Sequence, residues 1–210
     1  FDQAQTAVKE MFNNKVLHDQ LLKNNKQFSS ANSMNIGRLI PQVAYYIYAY
    51  AQLVKTGQIT DGEKINFSVP TGNFGNILAA YYAKKLGLPV HQLICASNKN
   101  NVLTDFFKTG LYDKNREFYV TSSPSMDILV SSNLERLIFE LTDESDDETL
   151  TLLTALSAEG HYQISKKMMS KLQGFIADWA SEEEISQEIN EIFENENYVL
   201  DPHTAVANYV

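Results

Sequence analysis

The stretch from Ile65 to Ala96 constrains the fold more than any other part of this 210-residue chain. Ile65 to Val69 reads as a short buried strand, and it meets the turn-rich string Pro70-Thr71-Gly72-Asn73-Phe74-Gly75-Asn76. A helical pattern then runs from about Gly75 to Leu86 and stops at Gly87, with Pro89 beyond it. Val90 to Ala96 is a second apolar run, long enough for one strand. Two strands joined through a helix lie parallel, because only a crossover of that length returns the chain to the same edge of a sheet. A parallel sheet needs helices on its faces. The expected class is therefore α/β, with a parallel sheet flanked by helices.

The flanking sequence supplies the helices. Residues 2–12 and 16–25 carry helical patterns, followed by a small-residue segment from Phe28 to Asn35. A long helix is expected from about Ile36 to Lys55, because Val43, Tyr46, Ile47, Tyr50, Ala51 and Val54 share one helical face. Pro41 conflicts with a helix interior and marks a start or a kink. Phe118 to Ser122 is a third strand candidate. Further helices are expected at about Met126–Leu141, Glu148–Ala158 and Ile164–Met169. Ser181 and Glu184 form a capping box ahead of an apolar face made by Ile185, Ile189, Ile192 and Phe193.

Charge narrows the function. The formal net charge is −9, a poor basis for gripping nucleic acid or an anionic membrane. The acidic clusters Asp143–Glu148 and Glu182–Glu184 read as solvated helix starts rather than as a metal site, and the four histidines show no metal-ligand spacing. Cys95 is the single cysteine and sits in an apolar run, which fits a buried structural thiol. With no long apolar run and no signal peptide, a cytoplasmic setting is the expectation.

Three places can carry chemistry. The loop Gly72, Asn73, Phe74, Gly75 and Asn76 lies between a strand and a helix, where consecutive backbone N–H groups and the positive helix end suit a phosphate. It lacks the Gly-Lys-Ser/Thr of a P-loop and the third glycine of the dinucleotide pattern, so a single phosphate ester fits better. An ordinary turn that binds nothing remains open on local pattern alone. The second place is Ser29 to Arg38, where Asn32 and Ser33 cap the following helix or bind an anion, and Arg38, one of three arginines, offers a planar fork to phosphate or carboxylate. Capping with a surface arginine is the alternative there. The third is Asp201-Pro202-His203-Thr204-Ala205, good helix-start chemistry in its own right.

Together these strings resemble the threonine synthases. Ser30 to Arg38, Val69 to Asn76, Pro124 to Ile128, Ser132 to Arg136, Asp201 to Ala205 and the opening Phe1 to Gln5 match in family order across almost the whole chain. The resemblance implies a tryptophan-synthase-β-like, fold type II architecture, of which residues 1–30 would be the tail of the smaller domain and 31–210 part of the larger one. It implies pyridoxal 5'-phosphate as cofactor, held by Gly72, Asn73, Phe74, Gly75 and Asn76, with Thr204 at the pyridine nitrogen. It implies O-phosphohomoserine as substrate, converted with water to threonine and phosphate, its phosphate held by Asn32, Ser33 and Arg38. The family's cofactor-anchoring lysine stands in a Phe-Lys-Asp context that does not occur here; Phe107-Lys108 is followed by Thr109. The chain is therefore expected to be an incomplete, inactive portion of such an enzyme. A serine/threonine dehydratase of the same fold and a non-catalytic phosphate-binding module are the alternatives.

Overall fold

The computed structural model describes residues 2–29 and 33–210. The chain order is α1 (Asp2–Asn13), α2 (Lys15–Lys23), α3 (Ile36–Lys55), β1 (Ile65–Pro70), α4 (Gly75–Lys85), β2 (Val90–Ser97), α5 (Val102–Thr109) and β3 (Leu111–Asp113). A 3-10 turn at Pro124–Met126 precedes α6 (Leu134–Leu141), α7 (Asp146–Ala158), β4 (His161–Gln163), α8 (Lys166–Ser170), β5 (Phe175–Trp179), α9 (Glu182–Glu196) and α10 (Pro202–Tyr209).

β1, β2 and β5 form a parallel sheet in that order, with β2 central: Val69 faces Cys95, and Cys95 faces Ala177. The two faces of β2 feed different cores. Leu93 and Cys95 pack with Ile77 and Leu78 of α4, Leu39 and Val43 of α3, and Phe106 of α5. Ala96 packs with Ile185 of α9 and Ala205, Val206 and Ala207 of α10. The period-two alternation of a strand thus assigns one helix layer to each face. A second, two-stranded antiparallel ribbon pairs Tyr112 of β3 with Tyr162 of β4, their rings stacked at 5.4 Å.

The N-terminal part is different. No residue of α2 is buried, and among the described residues the core clusters begin at Leu39. Phe12 and Phe28 stack on each other at 4.9 Å.

Several expectations are corrected. Phe118–Ser122 is no strand, and side chains take the backbone groups of Tyr119, Thr121 and Ser122. Asn100 Oδ1 accepts from Tyr119 N at 2.9 Å and Asn100 Nδ2 donates to Tyr119 O at 2.8 Å, while Asp127 and Glu182 accept from the N–H groups of Thr121 and Ser122. The third strand of the sheet is Phe175–Trp179, an edge strand with only Ala177 buried, so its alternation is faint in the sequence. The helix expected over Met126–Leu141 starts only at Leu134. α5 and the β3–β4 ribbon are additional elements. α3 runs through Pro41 from Ile36, and α8 replaces the helix expected at Ile164–Met169 with a start two residues later. The acidic clusters fall at helix starts: Ser145 caps α7 ahead of Asp146, Asp147 and Glu148, and the Ser181–Glu184 capping box opens α9. Among the described residues no group of His, Cys, Asp and Glu could hold a metal ion, and no helix is long and apolar enough to cross a membrane.

Candidate functional site

All three strands of the sheet end on one edge, and the loop after β1 opens there, the side on which open α/β sheets bind ligands. Thr71 completes the sheet: its N–H donates to Ala96 O at 2.8 Å and its hydroxyl to Val69 O at 2.7 Å. The chain then turns at Gly72. A Cβ at this position would lie 2.5 Å from the Ser125 carbonyl oxygen and 3.2 Å from Met126 Cα, backbone atoms that cannot swing aside. Phe74 stands at the start of α4 with φ 62°, the left-handed region, which costs a non-glycine residue about 1–3 kcal/mol. Its ring offsets that cost by burial: it is 1% exposed and stacks on Phe107 at 5.9 Å.

Phe74 brings no capping side chain to α4. Among the described residues, none of the six backbone N–H groups from Gly72 to Ile77 donates to a protein acceptor; the first hydrogen bond of the helix is Leu78 N to Phe74 O, 3.1 Å. A helix start with unspent donors and the positive end of the dipole is an anion-binding arrangement. The carbonyl side of the same loop is fully engaged. Ser131 Oγ donates to Gly72 O at 2.7 Å; Asn133 donates to Asn73 O from its backbone N at 3.0 Å and from Nδ2 at 2.9 Å. The side chain of Asn76 faces α3 instead: its Oδ1 accepts from the Tyr46 hydroxyl, and its Nδ2 donates to Gln42 Oε1 at 3.1 Å. Burial raises the Tyr46 phenol well above its ordinary value, so this hydroxyl stays a donor at all working pH.

At the second place, Asn32 lies outside the described residues. Ser33 is half-buried, and its carbonyl oxygen accepts from Asn133 Nδ2 at 3.0 Å. A Cβ at Gly75 would be 3.8 Å from that same Ser33 oxygen, so the Ser33 turn and the phosphate-loop candidate are neighbours. The cap of α3 is Asn35 rather than Ser33, with the extended backbone that capping requires and Oδ1 accepting from Gly37 N at 2.8 Å. Arg38 sits in the first turn of α3 and is exposed.

At the third place, Thr204 is exposed in the first turn of α10, with its hydroxyl donating to Asp201 and its N–H to Asp201 Oδ1 at 3.3 Å. The donation from Thr204 holds the Asp201 carboxyl below the usual carboxylate range. His203 links this helix start to the first site. Its Nδ1 lies 3.1 Å from Asp201 Oδ1 and its Nε2 accepts from Ser125 N at 3.2 Å, which assigns the proton to Nδ1. Ser125 is the residue whose carbonyl crowds Gly72.

Cys95 is fully buried under this loop, and burial pushes its thiol up to about 12, which rules it out as a nucleophile. Sequence reasoning assigned no role to Ser131, Asn133 and Arg136. The string Ser132 to Arg136 looks like an ordinary helix start, and nothing local reveals that its side chains reach carbonyls about a hundred positions earlier.

A parallel α/β sheet with an uncapped helix start at its carboxyl edge defines a class; comparison with known proteins shows which ones the chain is similar to. No protein-family model matches the chain. Human threonine synthase-like 1 is 48% identical over all of the chain, which spans 29% of that protein. Threonine synthase of Saccharomyces cerevisiae is 38% identical over 98% of the chain, which spans 41% of the yeast protein. The crystal structure of threonine synthase from Brucella melitensis, with pyridoxal phosphate bound, superposes on the whole chain with a TM-score of 0.88 at 38% identity, the chain spanning 43% of it. By sequence and by fold, this chain is similar to part of the threonine synthases and spans less than half the length of each of these relatives.

Proposed function

We propose that this chain supplies the phosphate-binding part of a pyridoxal-phosphate-dependent threonine synthase, acting on O-phosphohomoserine. One observation carries the reading: among the described residues, six consecutive N–H groups, residues 72–77, make no bond to the protein at a helix start on the carboxyl edge of a parallel sheet. The residues fit the cofactor's phosphate. The loop contains no cation, so a monoester dianion would be met by N–H groups and the helix dipole, without the lysine a triphosphate site uses.

In this reading Gly72, Asn73, Phe74, Gly75 and Asn76 hold the cofactor phosphate through the backbone. Asn76 has a further task, since its side chain fixes the start of α4 to α3. Asn32, Ser33 and Arg38 take the phosphate of the substrate, with Arg38 providing the charge-assisted fork. Thr204 faces the pyridine nitrogen. Thr204 Oγ1 would meet that nitrogen there; in the chain its hydroxyl donates to Asp201. When bound, pyridoxal phosphate supplies an electron sink for carbanions on the substrate. The anchoring lysine comes from a part of the enzyme outside these 210 residues, so the chain alone turns nothing over. Residues 1–30 then belong to the smaller domain, in keeping with the absence of buried residues in α2.

The test is a titration of the 210-residue chain with pyridoxal phosphate, followed by absorbance and by quenching of Trp179, the only tryptophan. Saturable binding that inorganic phosphate competes away, together with no phosphate release from O-phosphohomoserine, is the expected result. Binding indifferent to phosphate would remove the loop from the cofactor site, and turnover by the chain alone would overturn the division of labour.

A further inference from the structure

Asn133 departs from the behaviour of an asparagine at a helix start. Asn14 and Asn35 open α2 and α3 with their side-chain oxygens accepting from the helix N–H groups. Asn133 opens α6 and makes no such bond, although it is 0% exposed. Its carboxamide is used elsewhere. Nδ2 donates to Asn73 O at 2.9 Å and to Ser33 O at 3.0 Å, two carbonyls that stand 60 and 100 positions earlier and in separate segments. Its Oδ1 lies 3.4 Å from Arg136 Nε, and Arg136 Nη2 donates to Met34 O at 2.9 Å.

These bonds have a directional consequence. In a trans peptide the carbonyl and the following N–H point opposite ways. Drawing Asn73 O toward Asn133 therefore turns the N–H of Phe74 away from it, and drawing Gly72 O toward Ser131 does the same to the N–H of Asn73. Drawing Ser33 O toward Asn133 fixes the adjoining peptide at the start of α3. The support is itself anchored: the Tyr112 hydroxyl accepts from Ser131 N at 2.8 Å and donates to Leu129 O at 3.1 Å, and Tyr112 is 1% exposed.

We propose that Asn133 is a positioning residue that couples the two anion-binding segments, one carboxamide setting both the aim of loop 72–77 and its spacing from the Ser33 turn. The inference rests on the reading of those segments as phosphate sites, while the coupling itself is readable without any ligand. A substituent that merely filled space could be replaced by its isostere. Asn133→Asp keeps the shape but faces both carbonyls with an acceptor, so it should fail as badly as Asn133→Ala.

The experiment is amide hydrogen exchange on the folded 210-residue chain, with circular dichroism as the folding check and a pyridoxal-phosphate titration beside it. Both Asn133 variants should speed exchange at Gly37, Arg38 and Leu39, bonded to Asn35, and at Leu78, the first bonded amide of α4, together. Each should also weaken pyridoxal phosphate by about tenfold or more, as expected when buried acceptors lose their donor. Ser131→Ala should speed exchange at Leu78 but not at Gly37 to Leu39. An Asp variant that behaves like wild type, or a change confined to one segment, overturns the proposal. If both Asn133 variants fail to fold, the wild-type Asn133 side-chain amide decides, because rapid exchange of its protons would mean that the two bonds are not held. A wild-type chain that takes up no pyridoxal phosphate sinks the function proposed above, and the exchange pattern still decides the coupling.

Discussion

The turn that leads into α3 lies beside the start of α4, yet the two helices handle their first N–H groups in opposite ways. At α3, Asn35 takes the N–H of Gly37 with its side chain and those of Arg38 and Leu39 with its carbonyl oxygen. At α4, Phe74 offers no side-chain acceptor, and among the described residues the backbone N–H groups of residues 72–77 donate to nothing in the protein. α10 resembles α3, since Asp201 accepts from both His203 N and Thr204 N. A capped helix start has spent its donors on stability, while an uncapped one keeps them for an anion at the cost of about 1 kcal/mol that a good cap contributes. On the function proposed above, α4 would bind its anion through the backbone, whereas the start of α3 would use side chains, with Arg38 first among them.

The largest expected effect tests what holds the uncapped start in place. Phe74→Ala should destabilise the chain by about 3–5 kcal/mol, the usual cost of deleting a buried ring. Phe74→Gly removes even more side chain yet relieves the left-handed backbone, so it should be the more stable of the two by about 1–2 kcal/mol. Urea unfolding of both variants measures this. Equal stabilities would show that Phe74 carries no backbone strain.

The substrate side comes next. In an enzyme containing this chain, Arg38→Ala should lower kcat/KM for O-phosphohomoserine by about ten- to a hundredfold, the 1.5–3 kcal/mol of a charge-assisted contact. Affinity for pyridoxal phosphate should barely change, and Arg38→Lys should recover only part of the loss, because it keeps the charge without the planar fork. Unchanged kinetics would leave Arg38 as a surface residue; lost cofactor binding would mean that the two phosphates have been assigned to the wrong helix starts.

Gly72→Ala acts on the backbone approach. With Ser125 O 2.5 Å from the added Cβ, the loop or the Ser125 segment must move, at about 1–3 kcal/mol of overpacking. Pyridoxal phosphate binding should weaken with it, which a thermal-shift series with and without the cofactor reads directly. A variant as stable and as competent as wild type would break the idea that Gly72 is held by close contact.

The smallest effect concerns the capped start of α10. The Asp201 carboxyl is held below its ordinary range, first by the Thr204 hydroxyl, so its contribution to stability is fully present above the unfolded carboxylate pKa. That contribution fades as pH falls from about 4 through the lower folded value. Asp201→Asn should flatten this part of the stability profile while leaving the neutral-pH midpoint shifted only slightly. An identical acid profile in the variant would place the titration elsewhere.

The sequence by itself determined the βαβ unit from Ile65 to Ser97, because a strand period, a glycine turn and a helix period each act over a few residues. It also determined the capping box at Ser181 and the helix start at Asp201, which are local hydrogen-bond patterns, and it placed the acidic run Asp143–Glu148 at a helix start without singling out its cap. Family resemblance pointed to the residues of the loop but not to how they are held. Tertiary structure alone decided that Phe175–Trp179 completes the sheet, because an edge strand with one buried residue has little pattern to read. It decided that Phe118–Ser122 is fastened by Asn100, Asp127 and Glu182 rather than by a neighbouring strand. It decided, finally, that Asn133 joins Ser33 to Asn73, since a carboxamide has the same local propensity whether it caps its own helix or reaches two distant carbonyls. The choice between those partners is made by packing, when the segments it joins are already within hydrogen-bond reach.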